Sequence, residues 1–375
     1  MGTRHRRFVM PMGTLSVLLL VELCGGFPRQ EAGIPARGPA GRPKHTRRVA
    51  PWMVMGGPRG RGALRLRGGL DAGQLHEFEA VLDCLQRPDA TPQQRHHAQQ
   101  FALSLHNPVD LSEVPQQGDP AARRNAAVAK RLAQLQHVLD HSQSHTAQVV
   151  ACNSLTSLAT NHWDNNTLPH IEMRNYALSF LYAQSTTPTV PPYVSRAMTR
   201  LLSRITKLGW LECDAHRQIM TQLERFFDAS ARHYATGLTL LHDLVEEMDL
   251  PPTTRKGSIL RRQYLLNGLH KAFTRAMDTL LKISSMSDPE GAALLGDAAL
   301  QLAIRCLNFD FIGHAGRDDD SEDTSLPVPL AWRKDLNQVE IPDLLWTYYK
   351  ESAPPQSTRA LELLMLYTSV PRSIY

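Results

Sequence analysis

From Asp71 onward, apolar residues recur at helical spacing in short runs, and the runs come in pairs. Asp71 to about Arg87 places Leu75, Phe78, Val81, Leu82 and Leu85 on one face. Pro88 to Ala90 interrupts that run. Thr91-Pro92 then supplies an N-cap followed by proline at the first helical position, with Gln94 three residues after the cap. The pattern predicts a second helix from there to about Leu105, antiparallel to the first. Three further pairs follow: Pro120 to Asp140 with Ala147 to Thr160, Leu168 to Gln184 with Pro192 to Ile205, and Cys213 to Ala229 with Ala231 to Met248.

The first helices of these last three pairs start near residues 120, 168 and 213, a spacing of about 45 to 48 residues at the upper end of the range for HEAT and armadillo repeats. In such arrays each pair buries its apolar face against its neighbours. That accounts for a face as wide as Leu238, Leu241, Leu244, Val245 and Met248. The expected fold is all-α: a right-handed α-α superhelix, a HEAT/armadillo-type solenoid over residues 71–375, preceded by a disordered basic leader over residues 1–70. Composition agrees, with 42% apolar and 6% aromatic residues and little of the Val, Ile and Thr alternation that builds sheets. Periodicity alone leaves an irregular helical domain open.

The formal charge of +5 is misleading. Met1 to Leu70 carries 13 Lys+Arg against two Glu, so the remainder, with 28 Lys+Arg against 34 Asp+Glu, is at −6. An acidic body argues against nucleic-acid binding and suits protein partners with basic patches.

The leader has the grammar of a signal peptide. Arg4, Arg6 and Arg7 precede an apolar run peaking from Leu15 to Val21, and Cys24, Gly25 and Gly26 follow. The run is too short for a membrane span, so no stable membrane insertion is expected. Phe27 to Gly69 is rich in Pro, Gly and Arg, the composition of a segment that is disordered or removed. Two readings compete: a secretory or plastid-type targeting leader, or a first exon joined to a cytosolic protein by gene prediction. Leu64 to Gly69, LRLRGG, copies the tail of ubiquitin with no ubiquitin body before it, and Asn165-Asn166-Thr167 fits a glycosylation acceptor only if the chain is secreted.

Cys24, Cys84, Cys152, Cys213 and Cys306 show no C-x-x-C pair and no metal-type spacing to histidine, so they read as reduced thiols. Cys152 and Cys306 lie within apolar runs and are expected to act as small buried hydrophobes. The chain carries no HExxH, no GxSxG and no phosphate-binding Gly-rich loop. His96, His97, His141, His145 and His170 are scattered over polar faces. No enzyme, metal or cofactor is expected.

Five strings resemble one family in the same order: RNYALSFLY (Arg174 to Tyr182), ITKLGW (Ile205 to Trp210), CLNFDFIG (Cys306 to Gly313), PLAWR (Pro329 to Arg333) and SVPRSIY (Ser369 to Tyr375). They resemble the exportin-7 branch of the karyopherin-β (importin-β) superfamily, its N-terminal part. The acidic stretch Asp318 to Asp323, placed before PLAWR, has a counterpart there. The resemblance covers roughly Asp71 to Tyr375, is faint before Gln148 and leaves the leader unmatched. It implies a nuclear transport receptor that binds the GTPase Ran in its GTP state, carries protein cargo, meets nuclear pore proteins and moves between nucleus and cytoplasm. The family's receptors are much longer solenoids, so this chain is expected to stop within what resembles their first third.

Within that resemblance the N-terminal arch receives Ran, and polar residues of the second helices are the candidate contacts: Arg95, Gln99, Asn153, Ser154, Arg196, Arg200 and Lys207. Trp210 and Trp332 read as fillers between repeats. Asp310, set in an apolar segment, is expected to make a helix-end or inter-repeat hydrogen bond. The acidic stretch reads as a linker, a docking strip for basic residues or, least well matched to the EF-hand pattern, a calcium site. A HEAT-type scaffold without transport activity and an organelle-targeted helical protein are the alternatives.

Overall fold

The computed structural model describes residues 70–106, 119–163, 168–283, 285–311, 328–338 and 340–370. The signal-like leader, LRLRGG, Asn165-Asn166-Thr167, the acidic stretch, Cys24 and the ends of CLNFDFIG and SVPRSIY lie outside these residues. Every regular element among the described residues is helical, and the pairs expected from the sequence form a repeat solenoid.

The first pair is α1 (Ala72–Asp83) and α2 (Pro92–His106). Both start as their caps dictate. Asp71 accepts from the Gln74 amide at 2.8 Å while the Gln74 side chain accepts from the Asp71 amide, and Thr91 and Gln94 repeat this reciprocal arrangement at 3.2 and 2.9 Å. The second pair is α3 (Pro120–His141), capped by Asp119, and α4 (His145–His162), capped by Ser144. The third is α5 (His170–Thr186) and α6 (Pro192–Gly209).

In the fourth pair the run read as one helix from Cys213 to Ala229 divides at Gln218 into α7 (Asp214–Arg217) and α8 (Ile219–Phe227), followed by α9 (Ala231–Asp249). The single turn of α7 sets the buried His216 ring against Gly209, where any Cβ would collide with the imidazole. The glycine of ITKLGW is thereby explained. Its tryptophan, Trp210, is 3% exposed and meets Tyr264 edge-on at 5.3 Å.

The fifth pair begins with α10 (Arg255–Tyr264), a π-helical turn (Leu265–Leu269) and α11 (His270–Ile283), which together face α12 (Pro289–Leu307). A 3-10 turn (Leu330–Trp332) and the short α13 (Arg333–Leu336) lead into the last pair, α14 (Glu340–Glu351) and α15 (Gln356–Thr368). Here two motifs meet. Trp332 of PLAWR stacks on Phe273 at 4.7 Å and receives Phe311 of CLNFDFIG edge-on at 5.6 Å.

One apolar core runs through the array from Phe78 to Val370. In α9, Leu238, Leu241, Leu244, Val245 and Met248 are fully buried, as the sequence pattern requires; each such side chain contributes about 1.5–3 kcal/mol. Cys152 and Cys306 are also fully buried, and burial pushes the Cys152 thiol up to about 12 and the Cys306 thiol further still. No helix among the described residues is long and apolar enough to cross a membrane.

Candidate functional site

The second helices α4, α6, α9, α12 and α15 pack on one another in chain order, whereas the first helices of neighbouring pairs touch far less. Close packing in one layer and loose packing in the other bend the array toward the second helices. The second-helix layer is therefore the face on which several repeats converge.

On α6 that face carries a stripe of cations at helical spacing: Arg196, Arg200, Arg204 and Lys207. The facing stripe of α9 is acidic, with Asp243, Glu246 and Glu247. Asp243, 2% exposed, accepts from Thr199 Oγ1 and His242 Nδ1 and pairs with Arg196 at 3.4 Å. Arg204 bridges three repeats, with Nη1 at 2.6 Å from Glu247 Oε1 and Nε donating to Thr160 Oγ1 of α4 at 3.0 Å. Lys207 donates to the Glu247 carbonyl and lies 3.4 Å from its carboxylate. Burial holds the Lys207 ammonium below its ordinary pKa, against the pull of Glu247.

The pairing continues along the array. Asp249 at the end of α9 accepts from Arg261 of α10 at 2.8 Å, Arg305 of α12 at 2.9 Å and the Asp310 amide at 3.0 Å. Arg261 also donates to the Asp310 carbonyl at 2.6 Å, so Asp310 makes the inter-repeat bond expected of it. Between α12 and α15, Arg359 pairs with Asp297. Each junction in this part of the array is closed by a charged rung.

The nominated residues fall into distinct environments. Arg95 is turned back onto the turn between α1 and α2, donating to the carbonyls of Arg87 and Pro88 at 3.1 and 3.0 Å. Gln99 is exposed, Asn153 is half-buried and Ser154 is fully buried, so Ser154 offers no surface to a partner. Arg196 and Lys207 are tied to α9. Arg200 and the facing Glu246 are exposed and have no charged partner among the described residues. Arg204 was missed, although its place four residues after Arg200 and three before Lys207 marks it as part of the stripe. The structure thus brings Arg196, Arg200 and Lys207 together on α6 and leaves Arg95 and Gln99 two pairs away.

His242, Asp243 and Glu246 place three donor atoms within 4.8 Å of one another. A metal ion would have to displace the bonds that Thr199 and Arg196 already make to Asp243, so these groups fit an ion-pair junction better than a metal centre.

No family model matches the chain. Among curated proteins it is 28% identical over 252 residues to Ran-binding protein 17 of Mus musculus, covering 64% of this chain and 22% of that relative. It is 29% identical over 259 residues to Exportin-7-B of Xenopus laevis, covering 65% and 23%. Ran-binding protein 16 of Drosophila melanogaster is 26% identical over 261 residues, with 65% and 23% covered. The matched stretch spans less than a quarter of each relative. The exportin-7-like resemblance carried by the five motifs is borne out.

Proposed function

We propose that this chain binds Ran in its GTP state on the second-helix face and acts as the receptor arch of nucleocytoplasmic protein export. The observation that carries the reading is the similarity to proteins named for Ran binding and for export, on a chain whose repeats build a continuous second-helix face. Ran's switch segments change order with the γ-phosphate. An arch whose repeats share one continuous apolar core fits one arrangement better than the other, which is how binding becomes nucleotide-selective. Arg200 and Glu246 are the contact charges, being exposed on that face and without a charged partner among the described residues; Arg196 and Lys207 hold α6 in register with α9 behind them. In this reading residues 71–375 act as the receptor's N-terminal region and residues 1–70 as a separate leader. Protein cargo and nuclear pore proteins are the further partners, and the chain shuttles between nucleus and cytoplasm.

The test is capture of purified Ran, locked in either nucleotide state, by the full chain. Selective retention of the GTP form is expected, and Arg200→Glu should weaken it at least tenfold with the circular dichroism unchanged. Equal retention of both forms, or of neither, would overturn the proposal.

A further inference from the structure

Three Arg-x-x-Ser/Thr triplets occur in the chain: Arg196 before Thr199, Arg200 before Ser203 and Arg255 before Ser258. Basophilic serine/threonine kinases read this pattern as charge, through carboxylates that take basic side chains two and three residues before the acceptor hydroxyl. Burial separates the three. Thr199 and Ser203 are 2% and 1% exposed, and the Thr199 hydroxyl is already donated to Asp243. Ser258 is exposed, and among the described residues its hydroxyl makes only a long 3.4 Å bond to the Thr254 carbonyl.

The surroundings of Ser258 complete the pattern. Arg255 and Lys256 stand three and two residues before it, and Ile259, 47% exposed, follows directly. A kinase cleft takes such a segment extended, so the first turn of α10 must open. Little resists this. No side chain from Pro251 to Ile259 is buried, and the first anchored residue is Leu260. The turn is held by the Thr254 hydroxyl accepting from the Gly257 amide at 3.1 Å, by the Ser258 amide donating to the Thr254 carbonyl at 3.0 Å, and by the solvent-exposed Lys256–Glu212 pair at 2.8 Å. Pro251-Pro252 ahead of the turn and Gly257 within it weaken the helix there.

We propose that Ser258 is a phosphorylation site for a basophilic serine kinase using ATP. The Ser258 oxygen attacks the γ-phosphorus, its proton passes to the kinase's catalytic aspartate, the bond from the γ-phosphorus to the β–γ bridging oxygen breaks, and ADP leaves. The product is accommodated when the turn closes again. The phosphate lies one turn into α10, near the positive helix end, between Arg255 at i−3 and Arg262 at i+4. Both arginines are exposed and have no acidic partner among the described residues. Arg261 is turned inward to Asp249 and does not compete. The segment Arg255 to Arg262 carries four cations and no acid, so a doubly negative group halves its net positive charge.

The experiment is to incubate the folded full chain with the catalytic subunit of cyclic-AMP-dependent protein kinase and Mg-ATP, then measure intact mass and fragment masses. One phosphoryl group on Ser258 is expected. Ser258→Ala should abolish it, and the double variant Arg255→Ala, Lys256→Ala should lower kcat/KM at least tenfold. Thr199 and Ser203 should remain unmodified until the chain is heated. No incorporation into the folded chain, undiminished incorporation into Ser258→Ala, or labelling of Ser258 only after heat unfolding would each overturn the proposal.

Discussion

The helix α9 sits between α6 and α12 and buries Leu238, Leu240, Leu241, Leu244, Val245 and Met248, whereas α1 and α2 together bury Phe78, Leu82, Ala98 and Ala102 and lean mainly on α4. The polar contacts differ in the same sense. Asp243 of α9 is buried beneath Thr199 and Arg196. At the first pair, the partly exposed Glu79 accepts from Ser142 Oγ at 2.6 Å and the Gln143 amide at 2.9 Å, while Ser144 Oγ donates to Asp83. In a linear array each pair is stabilised by its own contacts and by those with its neighbours, so a middle pair has two interfaces and, among the described residues, the first pair has one. The first pair should open locally while the middle stays closed.

The two regions should differ most when apolar volume is removed. Leu241→Ala should cost about 2–5 kcal/mol, read as a lower urea midpoint of the main transition. Phe78→Ala should leave that midpoint in place and raise amide exchange in α1 and α2 only. If both variants shift the main transition equally, the two regions are one cooperative unit.

Removing the buried acceptor comes next. Asp243→Ala removes the acceptor shared by Thr199, His242 and Arg196, leaves Thr199 its 2.9 Å bond to the Arg196 carbonyl, and should destabilise by about 1–3 kcal/mol. Arg196 can turn to water, which limits the loss. Glu79→Ala should cost less, about 0.5–1.5 kcal/mol, and show itself in exchange of the first pair alone.

Acid acts on both regions, because neutral histidines lie at the central junctions and burial also lowers His106 of the first pair. Burial, reinforced by the charges of Arg174 and His170, lowers His216 to about 4 from 6.5, and burial also lowers His233, His170 and His162. The unfolded chain takes up these protons first. Stability therefore falls as the pH drops from about 6.5 toward 4, by up to about 1.4 kcal/mol per pH unit for a histidine shifted this far. His216→Gln should flatten that slope in a urea titration series. The smallest effect on the fold belongs to Arg200→Ala, within about 0.5 kcal/mol, since the side chain is exposed and has no charged partner among the described residues.

Most helix starts were legible because they are local chemistry. Thr91-Pro92-x-Gln94 fixes α2 through two hydrogen bonds that need nothing beyond four residues. The break at Gln218 was not legible, since the helical spacing from Cys213 to Ala229 continues through it and the cause is a tertiary contact between His216 and Gly209. The π-turn at Leu265–Leu269 was likewise silent in the sequence. Of the candidate site, the α6 residues Arg196, Arg200 and Lys207 could be found by helical spacing. Their division into paired and unpaired depends on carboxylates some forty residues away on α9, which no local pattern connects to them. Ser154 fails for the same reason: which side of α4 faces the neighbouring repeat is decided by packing.

The charged rungs between second helices also set how the molecule deforms. An ion pair near the surface is worth at most about 1 kcal/mol and can lengthen or exchange partners, while each fully buried leucine resists exposure more strongly. Small changes of curvature are therefore soft and unfolding is stiff. The array behaves as a spring whose compliance resides in Arg204–Glu247, Arg305–Asp249 and Arg359–Asp297, and whose elastic limit is set by the leucines behind them.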